Sequence, residues 1–443
     1  MLFFTELWER LAYYGLRSLL ILYLIDTAGG GLSWSQERAS RFYGWFVGLT
    51  YLSPVFGGWM ADRFLGSNRS LTLGGIVLSA GYLLLVFDRY GCFLAGIALV
   101  ILGTGFMKPN THTMVGQLYG PDDPRRDSGF TLYYMGINVG AFLGPLLCAW
   151  LAARYGWRFG FAGSFGAMVI GLGVFLVTRR ERLRDVGMAP SRLPHPSAGA
   201  SGATVLTRAE RRRLAAIALS TIFVVGFWIA YEQSGSSLNL FAAERVARRT
   251  GGWLGAMLPG GEIPAPWFQA VNPLCILIMA PLLATIWQRL GPKGPSSPAK
   301  MALGLLLLAV AYLVMVVGAV RSGGGAQVSP WLLIAFYAIY SLGELFFLPV
   351  GISFVSRTAP VRLASMVMGL WLTANFVANL AGGYLAGMRE QIQRGALFRV
   401  LGGEGDFFLI FVALCAGTGL VLGLLVPFLN RLTREAASPV ATR

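Results

Sequence analysis

The chain has 443 residues, 55% of them hydrophobic and only 13% charged, where a soluble domain carries about 25% charged residues. That composition excludes an ordinary soluble enzyme and points to an all-α integral membrane protein. The net charge of +16 is spread over short loops between apolar runs, a pattern of membrane orientation that excludes nucleic acid as a partner.

The first apolar run, 2–25, is long enough to cross a bilayer as a helix, and it carries Glu6, Glu9, Arg10 and Arg17. A charge near the membrane centre costs a few kcal/mol or more, so such residues face a protein interior or a water-filled path. At about 100° per residue, Glu6, Arg10, Tyr13 and Arg17 share a stripe roughly 60° wide, with Glu9 beside it. One polar face on a membrane helix is expected to line a cavity. Glu6 and Arg10, spaced i,i+4, also suit a plain ion pair between packed helices. The chain opens almost directly on this run, and a short N-terminal segment is expected to precede it. The run is too long for a cleavable signal peptide and is followed by more spans.

Eleven further spans follow, near 42–62, 70–88, 92–113, 128–153, 159–178, 214–241, 267–288, 301–320, 331–355, 363–387 and 406–430. The second ends in Gly57-Gly58-Trp-Met-Ala-Asp62-Arg63, where glycines allow close helix approach and the charged pair sits at the membrane edge. The fourth carries Gly103-Thr-Gly105-Phe-Met-Lys108-Pro109-Asn110; glycine and proline together loosen a helix and free carbonyls near Lys108, which can also snorkel to the headgroups. The fifth holds Tyr133-Tyr134-Met-Gly-Ile-Asn138, the sixth opens with Trp157-Arg158, and the seventh contains Trp228-Ile-Ala-Tyr231-Glu232-Gln233. The eighth begins Trp267-Phe-Gln269-Ala-Val-Asn272-Pro273, the tenth has Gly343-Glu344, and the eleventh Trp371. Between the sixth and seventh spans, residues 179–213 hold nine arginines around a Pro/Ser/Gly/Ala-rich centre. This segment is too short for two further helices and divides the chain into 1–178, a basic linker 179–213, and 214–443. With a cytoplasmic N-terminus, 21 basic residues fall on the cytoplasmic side and 12 outside, so both termini are expected inside.

Seven charges fall within spans: Glu6, Glu9, Arg10, Arg17 and Lys108 in the first half, Glu232 and Glu344 in the second. Their depths, at 1.5 Å per residue, put Arg17 and Glu232 toward the outside and Lys108 and Glu344 toward the inside. Two cross-half pairs, Arg17–Glu232 and Lys108–Glu344, are therefore candidate gates. A cavity with one basic and one acidic wall suits a zwitterion. Candidate lining residues are Tyr13, Tyr14, Tyr51, Asn138, Trp228, Asn272 and Trp371; for the asparagines a helix–helix hydrogen bond is an equal alternative, and for an isolated tryptophan lipid contact or core packing. Burial raises a carboxyl pKa and a nearby arginine lowers it, so Glu232, then Glu6 and Glu9 beside Arg10, are the candidate proton sites. The cysteines Cys92, Cys148, Cys275 and Cys415 and the histidines His112 and His195 have no zinc, redox or nucleophile–base spacing. No metal or organic cofactor is expected, the proton being the coupling ion.

Glu6-x-x-Glu9-Arg10-Leu11-x-Tyr13-Tyr14-Gly15 resembles the ExxERFxYYG motif of the proton-coupled oligopeptide transporters, members of the major facilitator superfamily. The segments around Gly57, Lys108, Tyr133–Asn138, Trp228–Glu232, Asn272, Glu344 and Trp371 resemble that family too, so the likeness runs through nearly the whole chain. It implies a twelve-helix facilitator fold with two six-helix halves around a central cavity. It further implies symport of di- and tripeptides with protons across a bacterial inner membrane, and a monomer as the working unit. Some members carry a histidine seven residues before the position of Tyr51; Gly44 stands there here. Rivals are a facilitator for another anion or zwitterion (nitrate, an amino acid, a peptide-like drug), a membrane enzyme, which wants a His, Cys or Asp cluster, and a non-transporting scaffold.

Overall fold

The computed structural model describes residues 1–119, 123, 125–183, 186–188, 190, 207–359 and 364–434. Among them the chain is helical, with one isolated antiparallel bridge between Arg249 and Glu262. Twelve helices have 20 residues or more: α1 Leu2–Ile25, α2 Gln36–Met60, α3 Ser67–Val86, α4 Tyr90–Gln117, α5 Arg126–Tyr155, α6 Trp157–Arg182, α7 Arg208–Tyr231, α8 Val271–Leu290, α9 Ser297–Arg321, α10 Pro330–Thr358, α11 Ala364–Gly387 and α12 Glu404–Arg434. Nine segments among the described residues are long and apolar enough to cross a bilayer. α1 is not one of the nine, because its charged residues interrupt the apolar run.

The helices match the expected spans, and their ends differ for local reasons. α2 starts at Gln36, ahead of its apolar part, because Ser35 caps it by accepting the Arg38 N–H at 3.3 Å. α7 starts at Arg208 because Thr207 and Glu210 form a capping box. The seventh span is also broken: α7 ends at Tyr231, a 3-10 turn covers Glu232–Gly235, and a short helix resumes over Ser237–Arg245. Most of linker 179–213 lies outside the described residues.

Contacts divide the chain into two compact units, Met1–Leu193 with Ser234–Leu277, and Pro194–Gln233 with Ile278–Arg443. In the first, α1 packs along α5 and α6, and α4 along α2 and α3. Small residues permit the close approach: a Cβ on Gly140 of α5 would come within 2.8 Å of the Arg10 Cβ, and one on Gly57 of α2 within 2.7 Å of the Phe106 backbone nitrogen on α4. Ser234–Leu277 joins this unit through polar anchors, with Asn239 Nδ2 donating to the Ser18 carbonyl at 2.8 Å and Trp267 Nε1 to the Leu146 carbonyl at 3.0 Å. In the second unit, α9 packs against α10 and α12, and α7 against α11 and α12. Phe227 of α7 stacks on Phe347 of α10 at 4.2 Å between centroids, and Tyr231 on Tyr340 at 4.8 Å.

Candidate functional site

The polar stripe of α1 is buried in its N-terminal half. Glu6, Glu9 and Arg10 are 1%, 0% and 4% exposed, and α5 packs against the Arg10 Cβ and the α1 backbone at Gly140. Arg10 Nε lies 3.2 Å from Glu6 Oε1 and also bonds Glu9, while Arg10 Nη2 donates to Glu9 Oε1 at 2.7 Å. Glu9 and Arg10 are adjacent in sequence, yet the long guanidinium folds back to form a forked pair. Two carboxylates thus share one guanidinium. The trio carries one surplus negative charge, which a single proton neutralises. Lys108 of α4 acts on Glu9 from the neighbouring helix.

Above the trio, aromatic and hydroxyl groups continue the stripe. The Arg10 guanidinium lies over the Tyr13 ring at 5.2 Å, and the Tyr13 hydroxyl is 3.0 Å from Thr50 Oγ1 on α2. Tyr14 meets Tyr13 edge-on at 5.4 Å, and Arg17 lies over the Tyr14 ring at 5.9 Å. Buried Arg17 donates from Nε to the Tyr43 hydroxyl of α2 at 2.8 Å. Lys108 Nζ sits 4.3 Å from the centre of the Tyr51 ring, a cation–π contact. Asn138 is buried and donates from Nδ2 to the Tyr134 carbonyl at 3.0 Å, one turn back on its own helix. This bond is neither the substrate contact nor the helix–helix bond considered from sequence. Asn272 is half-buried in the first turn of α8, in the stretch that packs with the first unit.

In the second unit, Glu232 is buried at the first position of the turn that ends α7. The break exposes carbonyls that a continuous helix would satisfy, and in an apolar interior each needs a donor. Three side chains supply it: Gln233 Nε2 donates to Ile229 O at 3.0 Å, the Tyr312 hydroxyl to Ala230 O at 2.6 Å, and the Tyr340 hydroxyl to Tyr231 O at 2.7 Å. Gln233 Nε2 also reaches the Gly382 carbonyl of α11 at 3.2 Å. Trp228 is buried, edge-on to Tyr231 at 5.1 Å. Glu344 is buried within α10. Trp371 belongs to α11, and its side chain lies outside the described residues.

Sequence reasoning missed Tyr43, Thr50 and His112 in the first unit and Gln233, Tyr312 and Tyr340 in the second as members of these networks. Their partners lie on other helices, and no local spacing signals them. His112 alone left a trace: it stands four residues after Lys108, one turn further on the same face.

A family model described as the POT family matches residues 68–198 and 195–400 of this chain. The chain is 34% identical over 482 residues to the uncharacterized transporter YclF of Bacillus subtilis (strain 168), across 97% of this chain and 93% of that protein. It is 34% identical over 449 residues to the peptide transporter YePEPT of Yersinia enterocolitica, covering 87% and 86%. Among solved structures, a peptide transporter POT in complex with sulfate superposes with a TM-score of 0.87 at 30% identity, over 98% of this chain and 94% of that one. A POT family transporter in complex with a thioalcohol-conjugated peptide superposes with a TM-score of 0.86 at 27% identity, over 97% and 96%.

Proposed function

This chain belongs to the POT family, and we propose that it carries di- and tripeptides together with protons across a bacterial inner membrane by alternating access. It is a secondary transporter of the major facilitator fold, not an enzyme. We read it as two six-helix bundles, 1–178 and 214–443, joined by the basic linker, with both termini cytoplasmic and a single chain as the working unit. The observation that carries this reading is the buried Glu6–Glu9–Arg10 trio with Tyr13, Tyr14 and Arg17 on the same membrane helix. A purely structural helix has no use for so many buried charges. The relatives named as peptide transporters support the choice of substrate.

Arg17 and Lys108 receive the peptide carboxylate, and Tyr13, Tyr14, Tyr51 and Asn138 contact the peptide's amides and side chains. Glu344 with Asn272 receives the amino end, and Trp228 and Trp371 contact the peptide's amides and side chains. Arg17–Glu232 and Lys108–Glu344 act as the outer and inner gates. While ionised, Glu232 holds Arg17; a proton neutralises it, weakens the pair and frees the outer side to open. The Glu6–Glu9–Arg10 trio takes the proton onward, because it too changes charge by one on protonation.

Competition for labelled dialanine uptake into proteoliposomes tests the substrate. A hydrogen bond to a charged group is worth about 1.5–3 kcal/mol, so blocking either terminus is expected to weaken competition by about tenfold or more. An N-acetylated, C-amidated dipeptide that competes as well as the free one contradicts the charged-wall reading. A POT family transporter has been solved with 5-aminolevulinic acid, which favours a second reading in which other zwitterions of similar charge separation are also carried. That compound belongs in the same assay.

A further inference from the structure

His112 has no part in the mechanism above, yet it stands among its charged groups. It lies on α4 one turn beyond Lys108. Nδ1 is 2.9 Å from the Lys108 carbonyl oxygen and 3.3 Å from the Tyr133 hydroxyl of α5. The Tyr133 ring meets the imidazole edge-on at 4.9 Å. A carbonyl only accepts, so the short contact fixes the hydrogen on Nδ1 and leaves the Nε2 lone pair to bind a proton.

The surrounding charges link this ring to the carboxylate trio. Lys108 on its own helix and Arg10 and Glu9 on α1 act on His112. Tyr133, which bonds the ring, also faces the Glu6 carboxylate. α2 brings Tyr51 to the Lys108 end, and α3 meets this part of α4 through the uncharged pair Ser70 and Asn110, 3.0 Å apart. The charge of His112 is therefore felt by Glu9, and the ring reaches the Glu6 side through one tyrosine.

We propose that His112 is a proton-binding residue of the transport cycle, taking its proton at Nε2 and coupled through Tyr133 to the Glu6–Glu9–Arg10 trio. The proton binds the bare nitrogen, the ring becomes an imidazolium, and Nδ1–H keeps its bond to the Lys108 carbonyl. The positive ring favours the ionised carboxylates, so its loading and the unloading of the trio are linked. The role in transport rests on the function proposed above; the titration of His112 does not.

The chain has two histidines, so a His195→Gln background leaves His112 as the sole signal in nitrogen-15 histidine spectra of the full-length protein in lipid nanodiscs. The expected result is a neutral ring carrying its hydrogen on Nδ1 at high pH and conversion to the imidazolium as the pH falls to about 5. Glu6→Gln removes a negative neighbour of the imidazolium, and Tyr133→Phe removes the connecting hydroxyl. Each is expected to move the midpoint by about half a pH unit, a roughly threefold change in the protonation equilibrium. A ring that stays neutral to pH 5, a hydrogen on Nε2 in the neutral form, or a midpoint unmoved by both variants overturns the proposal.

A second arm reads transport. His112→Asn keeps a donor for the Lys108 carbonyl, as Asn110 donates to Phe106 O at 2.7 Å on the same helix. Its pH profile of proton-driven dialanine uptake is expected to shift by about half a unit, and a profile superimposable on wild type overturns the transport role. If no peptide is carried at all while His112 titrates as described, the proposed function fails and the assignment of the ring stands.

Discussion

Arg10 is the residue on which the first unit's polar centre depends, because one guanidinium serves two buried carboxylates. Removing one partner of a buried charged cluster costs about 3–5 kcal/mol, so Arg10→Ala is expected to lower the thermal midpoint sharply in nanodiscs. Arg10→Lys is expected to recover little, since a point charge cannot reproduce the forked bond. Recovery to wild-type stability by lysine would show that charge alone matters. Asp26, just beyond α1, offers a pH test outside the membrane. Its carboxylate accepts the Trp157 indole N–H at 2.7 Å and the backbone N–H groups of Ala28, Gly29 and Gly31 at 3.1–3.2 Å. Partial burial alone would raise this carboxyl, but the hydrogen bonds outweigh it and hold it below the ordinary 3.8. A depressed value means the stabilisation is complete above the ordinary value and is lost as pH falls through the depressed one. Asp26→Asn is therefore expected to melt below wild type at pH 7, with the gap closing below about pH 4; a gap constant from pH 7 to 3 contradicts this. The charged residues of this scale were legible in the sequence, because charge in an apolar run is conspicuous. Tyr43 and Thr50 were not, since which hydroxyl meets Arg17 or Tyr13 is decided by how α1 and α2 pack.

At the scale of elements, hydropathy located the twelve long helices, nine segments among the described residues being long and apolar enough to cross a bilayer. Helix ends were less legible where polar caps such as Ser35 and Thr207 extend helices past the apolar part. The break at Glu232 has only a local trace in the sequence, the turn-forming Ser234-Gly235-Ser236-Ser237 inside the seventh span. Its cause is tertiary: Tyr312, Tyr340 and Gln233 take up the carbonyls of the last turn of α7. Tyr340→Phe keeps the stacking and removes the donor, leaving a buried carbonyl unsatisfied at about 1–3 kcal/mol. It is expected to destabilise the protein by that order in a thermal melt, and an unchanged melt would show that the break needs no such support. The glycine contacts read from the second span carry a similar expectation. Gly57→Val puts a side chain against the α4 backbone, so a sharply reduced yield of folded, membrane-inserted protein should follow, and a wild-type yield contradicts that packing.

For the whole molecule, the central claim is that protonation of buried carboxylates is tied to peptide movement. The charges of the predicted spans are unequally divided, with Glu6, Glu9, Arg10, Arg17 and Lys108 in the first unit and Glu232 and Glu344 in the second, which also buries Arg389, Glu404 and Asp406 just outside or at the edge of its spans. That asymmetry was legible from the sequence, and the pairing of gates across the units remains part of the proposed mechanism. Glu232→Gln fixes the lock in its neutral form. Proton-driven accumulation of dialanine and exchange of internal for external dialanine, measured side by side on the same reconstituted variant, test the claim most directly. The account predicts that accumulation under an acid-outside gradient falls to the background of empty liposomes while exchange persists. Accumulation against the gradient at the wild-type rate would contradict it.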